Sequence, residues 1–251
     1  MNRSGVLVIA HGSRDPKWIA AIDETVQKAN TDCSVTIGYL ELVAGRSIQD
    51  GIEELERKGV ARIIVVPLFM TMGSSHLNEI QYMLGLIDKA AIPTDLKPVK
   101  TEAKLIWASP LEDHPIVSRI IEARARELSK ESMSEIVLLV GHGSDWPGFK
   151  ERWDQLLQQL GQRLRNAVSF KRVEAVTLNS QQLTRRAKEL EGLGRLLVLP
   201  LFVSAGYFTQ HKIPQALADV NCVYYGKTLL PDPLITNWLE ETINMHLINC
   251  D

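Results

Sequence analysis

Cysteine is scarce in this chain of 251 residues: Cys33, Cys222 and Cys250 lie far apart, form no CxxC pair and are odd in number. That argues against a disulfide framework and fits a reducing compartment. Long apolar runs are missing too. No stretch approaches the length of a membrane span, and the Val6–Ala10 run stops at a His too soon for a signal-peptide core. A cytoplasmic protein with no membrane partner is the expectation. Nor is there an excess of one charge: the formal net charge is −2, which leaves no basic footprint for nucleic acid or an anionic membrane. A compact anionic ligand needs only a few local Lys and Arg, so it remains compatible.

What the chain does have is a repeat. Residues 6–16 read VLVIAHGSRDP and residues 137–147 read VLLVGHGSDWP, 131 positions apart. Further on, Ile63-Ile64-Val65-Val66-Pro67-Leu68-Phe69 matches Leu196-Leu197-Val198-Leu199-Pro200-Leu201-Phe202, and a Gly follows each Pro by six positions, Gly73 and Gly206. Leu105-Ile106-Trp107 leading to His114-Pro115 resembles Val223-Tyr224-Tyr225 leading to Asp232-Pro233. Several anchors in one order imply duplication. The expected domains are a first lobe over 1–130, carrying the site, and a second, degenerate lobe over 131–251, joined near Leu128–Glu135.

Within each half, continuous apolar runs alternate with amphipathic stretches. The runs near 5–10, 34–41, 62–68 and 104–108, and near 136–140, 169–176, 195–201 and 221–225, read as strands buried on both faces. Trp18, Ile22 and Val26, then Ile48, Ile52 and Leu55, then Trp153, Leu156, Leu157, Leu160 and Leu164 mark helix stripes. The predicted fold class is α/β: two homologous lobes, each a small parallel sheet flanked by helices. About fifteen extra residues around Ala91–Lys104, with two prolines, predict a loop or lid.

Ligands of open parallel sheets sit at the carboxyl ends of strands. His11 follows the first predicted strand and His76 follows the third, so two imidazoles reach one rim. Imidazole suits divalent iron, cobalt, nickel and zinc. Glu41 ends the second strand, where a carboxylate either binds a metal or accepts protons. Glu79 lies three residues past His76 on the same helix face, as an acidic partner or as a first-turn acid favoured by the helix dipole.

The ordered set AHGSRDP, YLEL, VVPLF…GSSH and the apolar strand leading to SPLEDHP resembles the sirohydrochlorin chelatase family, the metal-inserting class II chelatases of sirohaem and cobalamin synthesis. The resemblance spans nearly the whole chain, in the long two-lobed form. It implies a lyase that inserts cobalt or ferrous iron into sirohydrochlorin and releases two protons. The metal would be a substrate, with no permanent cofactor, and the protein a monomer or homodimer. It places the metal-binding histidines on His11 and His76 and the acid on Glu41. Arg14, Ser13 and His142 are candidate substrate contacts, with Arg46 as a further cation for the ring's carboxylates. Nickel insertion and a non-catalytic metal or tetrapyrrole carrier are the alternatives. One departure is visible: His76-Leu77-Asn78-Glu79-Ile80 lacks the Asp-Ile-Pro segment common after the family's second His.

In the second half, aligning Gly206 with Gly73 sets Thr209 opposite His76, and Glu174 or Val176 opposite Glu41. His211, two positions on, is expected to point elsewhere on a helix. His114 is read as a helix start and His246 as a surface residue. One working metal site, in the first half, is the expectation.

Overall fold

A computed structural model of the chain describes residues 3–178 and 180–248, so Cys250 falls outside the described residues. The apolar runs form two four-stranded parallel sheets. The first contains β1 (Arg3–Ala10), β2 (Ser34–Tyr39), β3 (Val60–Pro67) and β4 (Lys104–Trp107), in the order β2-β1-β3-β4. The second contains β5 (Glu135–Gly141), β6 (Arg172–Thr177), β7 (Arg195–Leu201) and β8 (Cys222–Tyr224), in the order β6-β5-β7-β8. Helices flank both: α1 (Pro16–Gln27), α2 (Ile48–Arg57), α3 (Ser75–Met83), α4 (Pro115–Leu128), α5 (Phe149–Ala167), α6 (Ser180–Glu191), α7 (Ile213–Ala216) and α8 (Pro233–Ile248).

The sequence explains the elements. Val6 to Ala10 and Val137 to Val140 are fully buried, as parallel strands covered on both faces must be. Helix α1 starts at Asp15, whose carboxylate accepts the Lys17 N–H at 2.9 Å, with Pro16 preset for the first turn. Helix α2 starts on a capping box between Ser47 and Asp50. Its apolar stripe, Ile48, Ile52 and Leu55, packs with Leu7, Ile9, Ile63 and Val65.

The strand order positions the site. From the inner strand β1 the chain goes out to β2 on one side, then returns to pair β3 on the other. The carboxyl ends of β1 and β3 therefore flank a topological switch point, where α/β sheets bind ligands. The ends of β5 and β7 flank its counterpart in the second sheet.

The compact units do not coincide with the sequence halves. One holds the residues up to Leu111 together with those from Pro233 on, and the other holds Glu112–Asp232. Helix α8 packs on α1 and β3 of the first unit, burying Ile235, Trp238, Leu239 and Ile243. The Asn30 N–H also donates to Glu240 at 2.7 Å. Helix α4 belongs to the second unit, where Arg124 pairs with Asp232 at 3.1 Å. The two repeats have exchanged their last helices. A boundary at residue 130 follows the repeat, and the folded units follow the exchange.

The segment before β4 is irregular, as its prolines predict, but it is no free lid. Leu96 and Val99 pack on the core of the first unit, and Gln49 of α2 exchanges two hydrogen bonds with the Lys100 backbone, at 3.0 and 2.8 Å. Glu56 of α2 takes the Thr101 hydroxyl at 2.7 Å and the Glu102 N–H at 2.8 Å.

One buried carboxylate ties down the second sheet. Glu135, 1% exposed, accepts the Ser129 hydroxyl, the Lys130 N–H at 3.0 Å and the Arg195 guanidinium. Burial pushes its carboxyl up, but these donors outweigh it and hold it below the usual range. Glu135→Gln is expected to cost about 1–3 kcal/mol in urea unfolding at pH 7. Because the folded carboxyl is depressed, its contribution is present above the unfolded value near 4.5 and fades as pH falls through the folded one. The gap between wild type and variant should therefore close in acid.

Cys33 and Cys222 are free thiols, both pushed up by burial. No helix among the described residues is long and apolar enough to cross a membrane.

Candidate metal-binding site

His11 leaves the end of β1 on a turn that Gly12 makes possible, with φ at +102°. His76 sits in the first turn of α3, after the loop from β3. The structure brings the two rings together edge-on, with centroids 4.8 Å apart and planes at 75°.

Their hydrogen bonds fix the tautomers. His11 Nδ1 lies 3.1 Å from the Gly12 carbonyl, which can only accept, so Nδ1 carries the proton and the Nε2 lone pair is free. His76 Nδ1 lies 3.1 Å from a Glu79 carboxylate oxygen, with the same consequence. Such bonds on the far nitrogen orient imidazoles that ligate metals. Burial, and then the neighbouring His11, push the His76 pKa down; Glu79 and Glu41 oppose this without reversing it. His76 is thus held neutral at pH 7, the form that donates a lone pair.

The two acids play different parts. Glu79 is on the Nδ1 side of His76, behind the ring. Glu41 is on the open side of His11, with Oε1 3.6 Å from Nε2. Its backbone is fixed there, because the Glu41 N–H donates to the His11 carbonyl at 3.0 Å. Among the described residues no three His, Cys, Asp or Glu side chains form a closed metal cage. The arrangement is an open pair of imidazoles with a carboxylate beside it.

The CbiX family model matches residues 5–128 and, a second time, residues 136–245. The chain belongs to the CbiX family. The sirohydrochlorin cobaltochelatase of Methanopyrus kandleri is 28% identical over 136 residues, covering 49% of this chain and 94% of that protein. The sirohydrochlorin ferrochelatase of Priestia megaterium is 27% identical over 181 residues, covering 69% of this chain and 61% of that protein. In fold, the chain is similar to SirB from Bacillus subtilis, solved with Fe3+, at a TM-score of 0.73 and 18% identity, covering 98% of this chain and 96% of that one.

The other predicted residues of this CbiX chain lie in varied surroundings. Ser13 accepts the Asp15 N–H at 3.0 Å, so its oxygen is committed to the turn and its O–H is left to donate. Arg14 is exposed and lines, with Ser13, Asp23 and Leu42, an open depression of about 540 Å³. Arg46 is not a free cation. It holds Asp23 through bonds of 2.8 and 2.6 Å and lies over the Tyr39 ring at 4.9 Å, and this guanidinium keeps the Asp23 carboxyl below its usual range. His114 caps α4, and His246 turns back to the Thr242 carbonyl at 2.9 Å.

The second half corrects two alignments. The ring that meets His142 is Phe208, at 4.7 Å and 81°, whereas Thr209 is buried and its hydroxyl turns back to Gly206. Phe208 begins a π-helical turn, Phe208–Lys212, in place of a regular helix start, so counting from the glycines misses by one residue. Strand register pairs Ala10 with Tyr39 and Gly141 with Thr177. The counterpart of Glu41 is therefore position 179, an Asn outside the described residues. Glu174 instead lies between Arg172 and Arg186, and Val176 packs on the core of the second unit. His211 is exposed, its ring 5.7 Å from Tyr207.

Proposed function

We propose that the chain is a sirohydrochlorin chelatase, inserting Co2+ or Fe2+ into the ring with release of two protons. The observation that carries this reading is the pair of imidazoles whose Nδ1 atoms are both tied to acceptors, leaving two Nε2 lone pairs free at the switch point of the sheet. The names of the related chelatases support it.

In this reading His11 and His76 hold the metal through Nε2, and Glu41 collects the protons that leave the pyrrole nitrogens. Two protein ligands suit a metal that must be released, since each bond to the ring nitrogens replaces a weaker one. Ser13 and Arg14, on the turn beside His11, bind a carboxylate at the edge of the ring.

Glu79 is a positioning residue. Glu79→Gln is expected to raise the Co2+ Kd about tenfold, because outer-shell partners of ligating imidazoles typically contribute ~10–100-fold. Calorimetric titration with Co2+ checks this.

The decisive experiment is anaerobic incubation with sirohydrochlorin and Co2+, Fe2+ or Ni2+ in parallel, following the absorption of the ring. Metal-dependent spectral change with turnover is expected for cobalt or iron. Tight ring binding without turnover for any metal would favour a carrier instead.

A further inference from the structure

The second unit repeats the ring pair at the strand ends with different chemistry. His142 follows β5 as His11 follows β1, and its Nδ1 lies 3.0 Å from the Gly143 carbonyl, so the same tautomer is fixed. The facing ring is a phenyl, however. Phe208 meets His142 with nearly the geometry of the His11–His76 pair, and Phe202 and Trp153 stand 6.0 and 6.5 Å from the imidazole. A single imidazole walled by aromatic rings that offer no lone pair is a poor site for a divalent ion.

What this rim offers instead is flat aromatic surface facing solvent. Eight large apolar side chains are exposed among the described residues, and the only aromatic ones are Trp146, Tyr207 and Phe208. All three belong to the segments that follow β5 and β7. Tyr207 is 60% exposed, touches Phe208 at 5.8 Å and carries Lys212 over its ring at 5.7 Å. His211 stands beside the same ring. Asp145 occupies the place of Arg14, so the cation beside this rim is Lys212, on the π-helical turn. Exposed aromatic faces edged by a lysine complement a planar conjugated ring edged by carboxylates: offset stacking holds the face and charge holds the rim.

We infer that the aromatic rim of the second unit, Tyr207 and Phe208 with His142, binds the face of a polycarboxylated tetrapyrrole, adding affinity for the ring and none for the metal. This rests on the chelatase reading, which supplies the class of ligand.

The test uses the full chain, with uroporphyrin, a flat metal-free octacarboxylate, as the probe and its fluorescence as the readout. Tyr207→Ala with Phe208→Ala is expected to raise the uroporphyrin Kd about tenfold or more, the equivalent of ~1.4 kcal/mol of lost stacking. The Co2+ Kd measured without a ring should not move. Phe208→Leu keeps the site filled but removes the aromatic face, and is expected to weaken ring binding while leaving the melting temperature near wild type. Unchanged uroporphyrin affinity in the double variant overturns the inference, as does wild-type affinity in Phe208→Leu. A change of oligomeric state with unaltered ring affinity also overturns it, and makes the rim a self-association surface. If wild type binds neither uroporphyrin nor sirohydrochlorin, the chelatase reading falls as well. Ring binding by wild type that the variants leave intact sinks only this proposal.

Discussion

Cobalt insertion by His76→Ala and by His11→Ala is expected to fall to about one hundredth of the wild-type rate or below, while His211→Ala retains most of it. The magnitude follows from the site's openness. Removing a residue that merely orients a ligand costs ~10–100-fold, so removing one of two donors exceeds that range. Neither loss is easily covered. Glu79 lies behind His76 on the Nδ1 side, and Glu41 is 3.6 Å from the nitrogen of His11 that the metal would use. With His76 gone, a metal keeps one imidazole and one half-exposed carboxylate, a set that solvated ions leave readily. His211 is the control because it is an imidazole of the other unit, exposed beside Tyr207. Initial rates under anaerobic conditions, with melting curves to exclude misfolding, decide the matter. Rates near wild type in the first two variants would remove the histidine assignment.

Much of this arrangement was legible in the sequence, because it depends on periodicity and on position relative to strand ends. Uninterrupted, β-branched apolar runs such as Val6–Ala10 and Ile63–Val66 read as doubly covered strands, and a His directly after one then falls on the rim. What the sequence hid are the features that depend on register or on distant packing. Phe208 escaped because a π-helical turn shifts the helix start by one residue, and no composition signal marks that shift. The division between Glu41 and Glu79 depends on which ring nitrogen each carboxylate meets, Nε2 of His11 or Nδ1 of His76, and spacing alone does not carry that. Arg46 looked available in the sequence, but Asp23 of α1 pairs with it from a distant part of the chain. The exchange of α4 and α8 is invisible to repeat alignment, since each helix keeps its place in the chain while changing the core it covers.

Gly12→Ala is expected to destroy the site without touching a functional side chain. A Cβ added at Gly12 would lie 1.9 Å from the Glu41 carbonyl oxygen, which is backbone and cannot swing away. The residue also holds φ at +102°, a region that costs an L side chain about 1–2 kcal/mol or more. Relief requires parting the ends of β1 and β2, where the Leu40 and Glu41 N–H groups donate to Ala10 and His11 at 2.9 and 3.0 Å. That movement separates His11 from Glu41 and swings the imidazole away from His76. Overpacking of this kind adds about 1–3 kcal/mol, so the melting temperature should fall and Co2+ binding should weaken together. Two further glycines apportion the cause. Gly45, at φ +71° with nothing within 4 Å of its Cβ position, carries the conformational cost alone, so Gly45→Ala should lower stability slightly and spare metal binding. Gly143 repeats the clash in the second unit, against the Thr177 side chain at 2.5 Å, so Gly143→Ala should lower stability and leave the Co2+ Kd unchanged. If Gly12→Ala bound Co2+ as wild type does, the turn would not be what holds His11 and Glu41 in register.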